Sequence, residues 1–533
     1  MVIALLTEAA LESGLGILAS RCSVSRSFNR RDFLKLAGLA PLSLALPGSV
    51  RGSRALQAPS GKKNVLILLF DALSAYNMSL YGYARRTTPN IDRLAKRAIV
   101  YHNHHAAGNF TTPGTASILT GTYPWTHRAI QYLGRTVPRF YARNIFAQFG
   151  DYHRFAYTHN SYAYNVLRPM ASRMDELITV EDLYLEAPPA FIWKNLREDN
   201  DAANVAWGRA TGLGFHHYAY SLYVSQLLLA LRDQSGLGKI RAKFPLGLPG
   251  DGEVNSFILE TAIDWLAKEV NQVPHPFLGY VHFLPPHAPY RTRIDFHGRF
   301  KDDGFVPVPK PVDLFAAGRK RDEPGERRAY DEYILYADSE FGRLFEALEA
   351  SGILEDTWLV LTSDHGELFE RGLKAHASDT LYQPEIRVPL LIFEPGRQAG
   401  LEIHTPTSAV DVMPTVAHVT GHPIPPWTEG RVLPPYVEEA GEAERSVFSF
   451  MAAENNPLGT IHRATGAVVK GNYKLQYYFG YEQLNGGELV KLFDIQQDPN
   501  ELTDVAAALP GVAAKLLGEI KLRIADADRR YRS

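Results

Sequence analysis

VLILLFD, Val65–Asp71, runs six apolar residues without a break into an aspartate. A strand with one wet face alternates apolar and polar side chains. A strand buried on both faces of a largely parallel sheet reads instead as a continuous apolar run. Similar runs recur at Phe277–Phe283 (FLGYVHF), Trp358–Ser363 (WLVLTS) and Val388–Phe393 (VPLLIF). Helical patterns lie between them. TTPNIDRLAKRA predicts a helix capped by Thr88 with Pro89 at its first position. YDEYILYADSEFGRLFEALEASG predicts a long one that stops at Gly352. Strands alternating with helices predict an α/β fold, a central mostly parallel sheet flanked by helices. From about Ser446 short β-type runs alternate with turn residues and then give way to a helical tail, which predicts a small C-terminal α+β subdomain. The expected organisation is a signal region and linker over 1–58, a main domain over 59–445 and the subdomain over 446–533. An aromatic-rich helical insertion is expected at about 176–252.

The chain has 533 residues, 45% of them hydrophobic and 21% charged, with a net charge of −2. That length exceeds what one hydrophobic core normally serves, and the charge balance offers no basic surface for nucleic acid. Cys22 is the single cysteine, so neither a disulfide framework nor a cysteine-ligated zinc site forms within the chain. SFNRRDFLK (Ser27–Lys35) followed by LAGLAPLSLALPG (Leu36–Gly48) matches a twin-arginine export signal. Arg30 and Arg31 form its charged part, and the apolar stretch is too short to span a bilayer comfortably. The adjacent arginines, the prolines and the N-terminal position argue against the alternative, a short core helix. The expectation is export by the twin-arginine machinery to the periplasm or beyond, with no transmembrane span in the mature chain.

Asp71 ends the first predicted strand, and SDHGE (Ser363–Glu367) follows another. Open α/β sheets bind ligands at the carboxyl ends of their strands, so these distant residues can converge. Two carboxylates and an imidazole suit a divalent ion. In NFTTPGTASILTG, Asn109–Gly121, two threonines precede Pro113 at a predicted helix start. A threonine there either caps the helix or offers a reactive hydroxyl.

Taken in order, several stretches resemble the signatures of the sulfatase family, within the alkaline phosphatase superfamily. They are NVLILLFDALSAYNMSLYGYARRTTPNIDRLA, TTPGTASILTGTYPWTH, PPHAPY, TSDHGE and TLYQPEIRVPLLIFEPG. The resemblance implies an alkaline-phosphatase-like fold with Thr111 at the nucleophile position, two residues before the motif proline. It implies metal ligands at Asp71, Thr111, Asp364 and His365, and substrate contacts at His287 and His376. The departures also carry meaning. Ala72 stands where sulfatases usually have a second metal aspartate, Thr115 where an arginine is usual, and Ser378 near an expected lysine. Thr111 replaces the cysteine or serine that becomes formylglycine, and threonine cannot give that aldehyde, so no formylglycine is expected. The set resembles a one-metal, threonine-nucleophile branch that includes lipoteichoic acid synthases and phosphoethanolamine transferases. With an imidazole in the set, zinc or manganese is favoured over calcium or magnesium.

The leading expectation is a hydrolase or transferase that cleaves phosphate esters or phosphodiesters through a Thr111 intermediate. Its substrate would be a small-molecule, glycan-derived or lipid-derived ester. The alternatives are a sulfuric ester hydrolase acting without formylglycine and a non-catalytic binding protein on the same fold. YHNHH (Tyr101–His105) reads as a partly exposed loop, with pocket lining by His104 or His105 as the other option, and His216 and His217 receive no role.

Overall fold

A computed structural model describes residues 61–178, 242–251, 255–316, 324–437 and 444–531. The signal region, residues 179–241 of the expected insertion, and His216 and His217 within them, lie outside the described residues. Eight strands form the main sheet: β1 (Asn64–Phe70), β2 (Ile99–Tyr101), β3 (His153–Thr158), β4 (Glu176–Ile178), β5 (Phe277–Phe283), β6 (Thr357–Thr362), β7 (Leu390–Phe393) and β8 (Leu401–Ile403). Their order is β8-β2-β7-β6-β1-β5-β3-β4. Every neighbouring pair is parallel except those made by β7, which runs antiparallel to both β6 and β2. All seven residues of β1 and of β5 are buried, the polar Asn64 and His282 included. The sequence did not announce β2, β4 and β8, which are three residues each, or β3, whose HRFAYT opens on two polar residues.

The helices are α1 (Pro89–Leu94), α2 (Thr111–Thr120), α3 (Ser161–Leu167), α4 (Leu259–Glu269), α5 (Pro324–Ala350), α6 (Val412–Val419) and α7 (Pro510–Arg529). They pack on both faces of the sheet. Successive side chains on a strand point to opposite faces, and β1 shows the partition. Leu66, Leu68 and Phe70 join a core with Ile263 of α4 and Phe341 of α5, while Val65, Ile67 and Leu69 join one with Ile118 of α2 and Met413 of α6. The helix expected after Thr88 is shorter than its pattern. It ends at Leu94 and tightens into a 3-10 turn over Ala95–Arg97, and the Thr88 hydroxyl donates to Asp92 (2.9 Å) instead of capping the backbone.

Four further strands, β9 (Ser446–Met451), β10 (Ala464–Lys470), β11 (Tyr473–Phe479) and β12 (Glu488–Asp494), form an antiparallel sheet in chain order. Leu516, Ile520 and Ile524 of α7 share a core with this sheet and with Tyr123 and Trp125, which follow α2. Arg128 is fully buried beside them. Its guanidinium donates to Asp528 (3.0 Å) and to the carbonyls of Trp125 (2.8 Å) and Gly459 (3.0 Å), and it lies over the Tyr531 ring.

Candidate active site

Four adjacent parallel strands, β6-β1-β5-β3, deliver their carboxyl ends along one edge of the sheet, where this architecture places ligands. Asp71 follows β1, and Asp364 and His365 follow β6. His282 is the penultimate residue of β5, and Asn160 lies two residues past β3. Val65, Ile67 and Leu69 of β1, Leu278 and Tyr280 of β5, and Val360 of β6 all belong to the core on the α2 side. The two-residue period carries that side on to Asp71, His282 and Asp364. Three distant parts of the chain thus aim polar groups at the start of α2.

Thr111 is the first residue of α2 and is 3% exposed. Its Oγ1 lies 3.3 Å from His365 Nε2 and accepts from Asn160 Nδ2 at 3.3 Å. The orientation of the Asn160 amide follows from its neighbours. Its Oδ1 caps α3, accepting from the N–H groups of Tyr162 (2.7 Å) and Ala163 (3.2 Å), so its NH2 faces Thr111 and also donates to Asp71. All ten residues of α2 are buried, which explains a helix with no polar face. Two glycines allow this packing. A Cβ on Gly114 would collide with the Asp364 carbonyl oxygen, and one on Gly366 with that of Pro384.

Asp71 and Asp364 are wholly buried, and no hydrogen bond reaches Asp71 Oδ1 or Asp364 Oδ2. His282 Nε2 lies 3.1 Å from Asp71 Oδ2 and 3.8 Å from Asp364 Oδ2. His365 Nε2 lies 3.3 Å from Asp71 Oδ1 and 3.7 Å from Asp364 Oδ2. Burial works against a charged Asp71, but His287, His282 and His365 outweigh it and hold the carboxyl well below its usual range. Burial likewise works against a charged His365, and the Asp364 and Asp71 carboxylates override it, pushing the imidazole up to about 10. A buried pair of carboxylates with unmet oxygens demands positive charge, and with imidazoles beside them the set fits a divalent cation. The His365 ring is already oriented for such a role, because Nδ1 meets the Gly366 carbonyl at 2.9 Å and leaves Nε2 for the site.

His287 and His376 stand at the rim. The His376 ring lies 4.4 Å from that of His365 and 4.7 Å from that of His287. Glu367, the last residue of SDHGE, is fully buried and meets His376 Nδ1 at 3.0 Å, while its other oxygen accepts from Tyr290 (3.1 Å). Burial lowers His376 from its ordinary value although Glu367 pulls the other way, so the ring is neutral near pH 7.

All six residues expected at the site (Asp71, Thr111, His287, Asp364, His365 and His376) therefore come together. Ser378 does not point to a substrate contact: its hydroxyl donates to Glu385 Oε1 (2.6 Å), which also accepts from Asn109 (3.1 Å). This network ties the loop after His376 to the loop that carries Thr111. Thr115 is buried within α2. The loop reading of YHNHH needs correction. His104 and His105 form a short strand paired with Thr407–Ser408 and are fully buried, and burial holds both at about 3. Two site residues escaped the sequence reading. His282 had a signal, a polar residue inside an otherwise apolar β run, whereas Asn160 had none beyond its suitability as a helix cap. A cavity of about 780 Å³ takes in Tyr76, Arg85, Lys310, Arg387 and Glu367 but not Thr111, Asp71 or Asp364.

A mostly parallel α/β sheet with buried acids at its strand ends and a hydroxyl at a facing helix start defines an ester hydrolase of the alkaline-phosphatase-like class. The chain belongs to the sulfatase family, whose model matches residues 63–422, and a second model, N-sulphoglucosamine sulphohydrolase, C-terminal, matches 376–527. Enzymes of this family are metal-dependent. Choline-sulfatase of Rhizobium meliloti (strain 1021) is 27% identical over 481 residues, covering 84% of this chain and 83% of that protein. Arylsulfatase K of Bos taurus is 28% identical over 291 residues, covering 48% of this chain and 52% of that protein, so the match spans about half its length. The phosphonate monoester hydrolase of Agrobacterium radiobacter superposes with a TM-score of 0.62 at 18% identity, covering 87% of this chain and 96% of that one.

Proposed function

We propose that this chain is an exported, metal-dependent hydrolase or transferase of phosphate esters or phosphodiesters that works through a covalent Thr111 intermediate. The observation that carries the reading is the Thr111 hydroxyl at the start of α2, 3.3 Å from both His365 Nε2 and Asn160 Nδ2, two groups that also approach the buried Asp71 carboxylate. A bound divalent ion would lower the pKa of that hydroxyl and neutralise charge on the transferring group, and Asp71, Asp364 and His365 would hold it.

Thr111 Oγ1 attacks phosphorus, the bond to the departing oxygen breaks, and the hydroxyl proton ends on that oxygen, which leaves as the alcohol. Backbone N–H groups at the start of α2 lie where the equatorial oxygens gather charge. Asn160 keeps the nucleophile oxygen in place through its donated hydrogen bond. In the second step, water or an acceptor alcohol displaces Thr111 in line. His376, neutral and held through Nδ1 by Glu367, takes the proton from the attacking oxygen. His287, whose Nδ1 meets the Ala288 carbonyl at 2.6 Å, contacts the transferring group with its other nitrogen.

The preference for phosphorus rests on the threonine. A formylglycine hydrate releases sulfate by collapsing to its aldehyde, whereas a threonine ester has no such exit and needs a second displacement at the central atom. The second reading, a sulfuric ester hydrolase acting without formylglycine, is favoured by the likeness to choline-sulfatase and arylsulfatase K. Small-molecule, glycan-derived and lipid-derived esters all suit the site. Among the described residues no helix is long and apolar enough to cross a membrane. Support for export comes from Arg30, Arg31 and the apolar run after Lys35. Comparing kcat/KM on matched aryl sulfate, phosphate monoester and phosphodiester decides the substrate. The phosphorus esters should win, and a tenfold preference for sulfate, about 1.4 kcal/mol, overturns the phosphoryl reading.

A further inference from the structure

We propose that His282 is a metal ligand in this site, contributed from β5 where Ala72, next to Asp71, has no side-chain donor to offer. The inference rests on the reading of Asp71 and Asp364 as holders of a divalent ion. Among the described residues, Asp71, His282 and Asp364 form a group whose donor atoms all lie within 4.8 Å of one another, and all three are fully buried. The spacings from His282 Nε2, 3.1 and 3.8 Å, are those of donors that each sit about 2.0–2.2 Å from a shared ion.

The location follows from register. His282 pairs with Leu69 on β1 and with Thr158 on β3, so its ring stands on the α2 side of the sheet, one strand over from Asp71. The rest of that row on β5, Leu278 and Tyr280, is core. An imidazole continuing this row is costly to bury unless it meets something there. Its second nitrogen is accounted for, since Nδ1 lies 3.3 Å from the Tyr280 hydroxyl, an arrangement that turns Nε2 toward the carboxylates. Ala72 cannot contribute. Its backbone is fully engaged, the N–H toward Asp364 Oδ1 (3.4 Å) and the carbonyl with the Tyr330 hydroxyl (2.5 Å), and its side chain has no donor atom. His282 thus adds an imidazole from a strand that carries no ligand in the set drawn from the sequence. Two imidazoles and two carboxylates make a softer donor set than one of carboxylates alone, which favours zinc or manganese.

The competing account is that His282 only balances carboxylate charge and touches no ion. Zinc binding to the chelator-stripped full chain, measured by competition with a chromophoric chelator, separates the two, together with X-ray absorption counting of imidazoles on the zinc-loaded protein. Wild-type protein should bind one zinc with at least two imidazoles. His282→Gln, which keeps bulk and hydrogen bonding, should lose one imidazole and weaken zinc binding at least tenfold. Ala72→Asp in that background should recover part of the affinity. One imidazole on the wild-type ion, or a His282→Gln affinity within threefold of wild type, overturns the proposal while leaving the cation site itself intact. Wild-type protein that binds neither zinc nor manganese removes the cation site and the proposal with it. The imidazole count on wild type serves alone if the glutamine variant does not fold.

Discussion

A threonine at a helix start ordinarily tidies up the backbone. Thr111 is instead set between an imidazole and an amide, both of which also approach the buried Asp71 carboxylate. Thr111→Ala should lower kcat by about 10³-fold or more with fold and bound metal retained, because the proposed covalent route disappears. Thr111→Ser should keep measurable turnover, since the hydroxyl persists on a less constrained rotamer. Steady-state kinetics check both, and near-normal turnover by the alanine variant would remove Thr111 from the chemistry. The Glu367–His376 pair allows a second test. Glu367 opposes the burial that lowers His376, so Glu367→Gln should lower the imidazole further. If neutral His376 is the working form, activity is lost as pH falls through its pKa. The acid limb of the kcat profile should then move to lower pH, with kcat down about tenfold or more at its plateau. An acid limb that stays in place would mean that His376 is not the group being titrated.

At the scale of elements, the site depends on how closely α2 approaches the turn after β6. Gly114 makes that approach possible, because any Cβ there meets the Asp364 carbonyl. Gly114→Ala should cost about 1–3 kcal/mol of stability, the usual penalty of overpacking, and should lower kcat as well by moving Thr111 away from His365. Urea denaturation alongside kinetics checks this, and unchanged values for both would show that the contact yields freely. The same elements show what a sequence reader can and cannot see. Asp71 and SDHGE were legible because each interrupts a long apolar run where a strand must end. Thr111 was legible through the proline and the glycine that bracket its helix. His282 was overlooked because it looks like one more residue of a strand, and only its register against β1 and β3 gives its ring a destination. Asn160 follows a strand whose first residues are polar, so neither its element nor its partners could be placed in advance. The buried pair His104–His105 was misread for a related reason: a two-residue strand has no periodicity to detect.

For the whole molecule, metal and tail are the two levers. Exhaustive chelation should abolish activity and lower the Tm, and zinc or manganese should restore both. At a free ion concentration a hundred times Kd the gain is about 2.7 kcal/mol. Full activity in protein shown to be metal-free would defeat the one-ion reading. The second lever is the ion pair of Arg128 with Asp528. Asp528→Ala leaves a guanidinium that is fully buried without its countercharge, a change that costs about 3–5 kcal/mol. The melting point should fall while kcat of the folded fraction stays close to wild type. A variant as stable as the parent would show that water or the Tyr531 ring compensates.

That clasp has a bearing on how the protein is made. Arg128 closes the segment that leaves α2, and its carboxylate partner lies 400 positions further along the chain. While the polypeptide is still emerging from the ribosome, the helix that begins at Thr111 is present but its fastening is not. The charge of Arg128 must stay in water until α7 has been translated and docked. The hydrolase therefore cannot reach its finished form piecemeal from the N-terminal side, and a nascent chain halted before Asp528 should be open to proteases around Arg128.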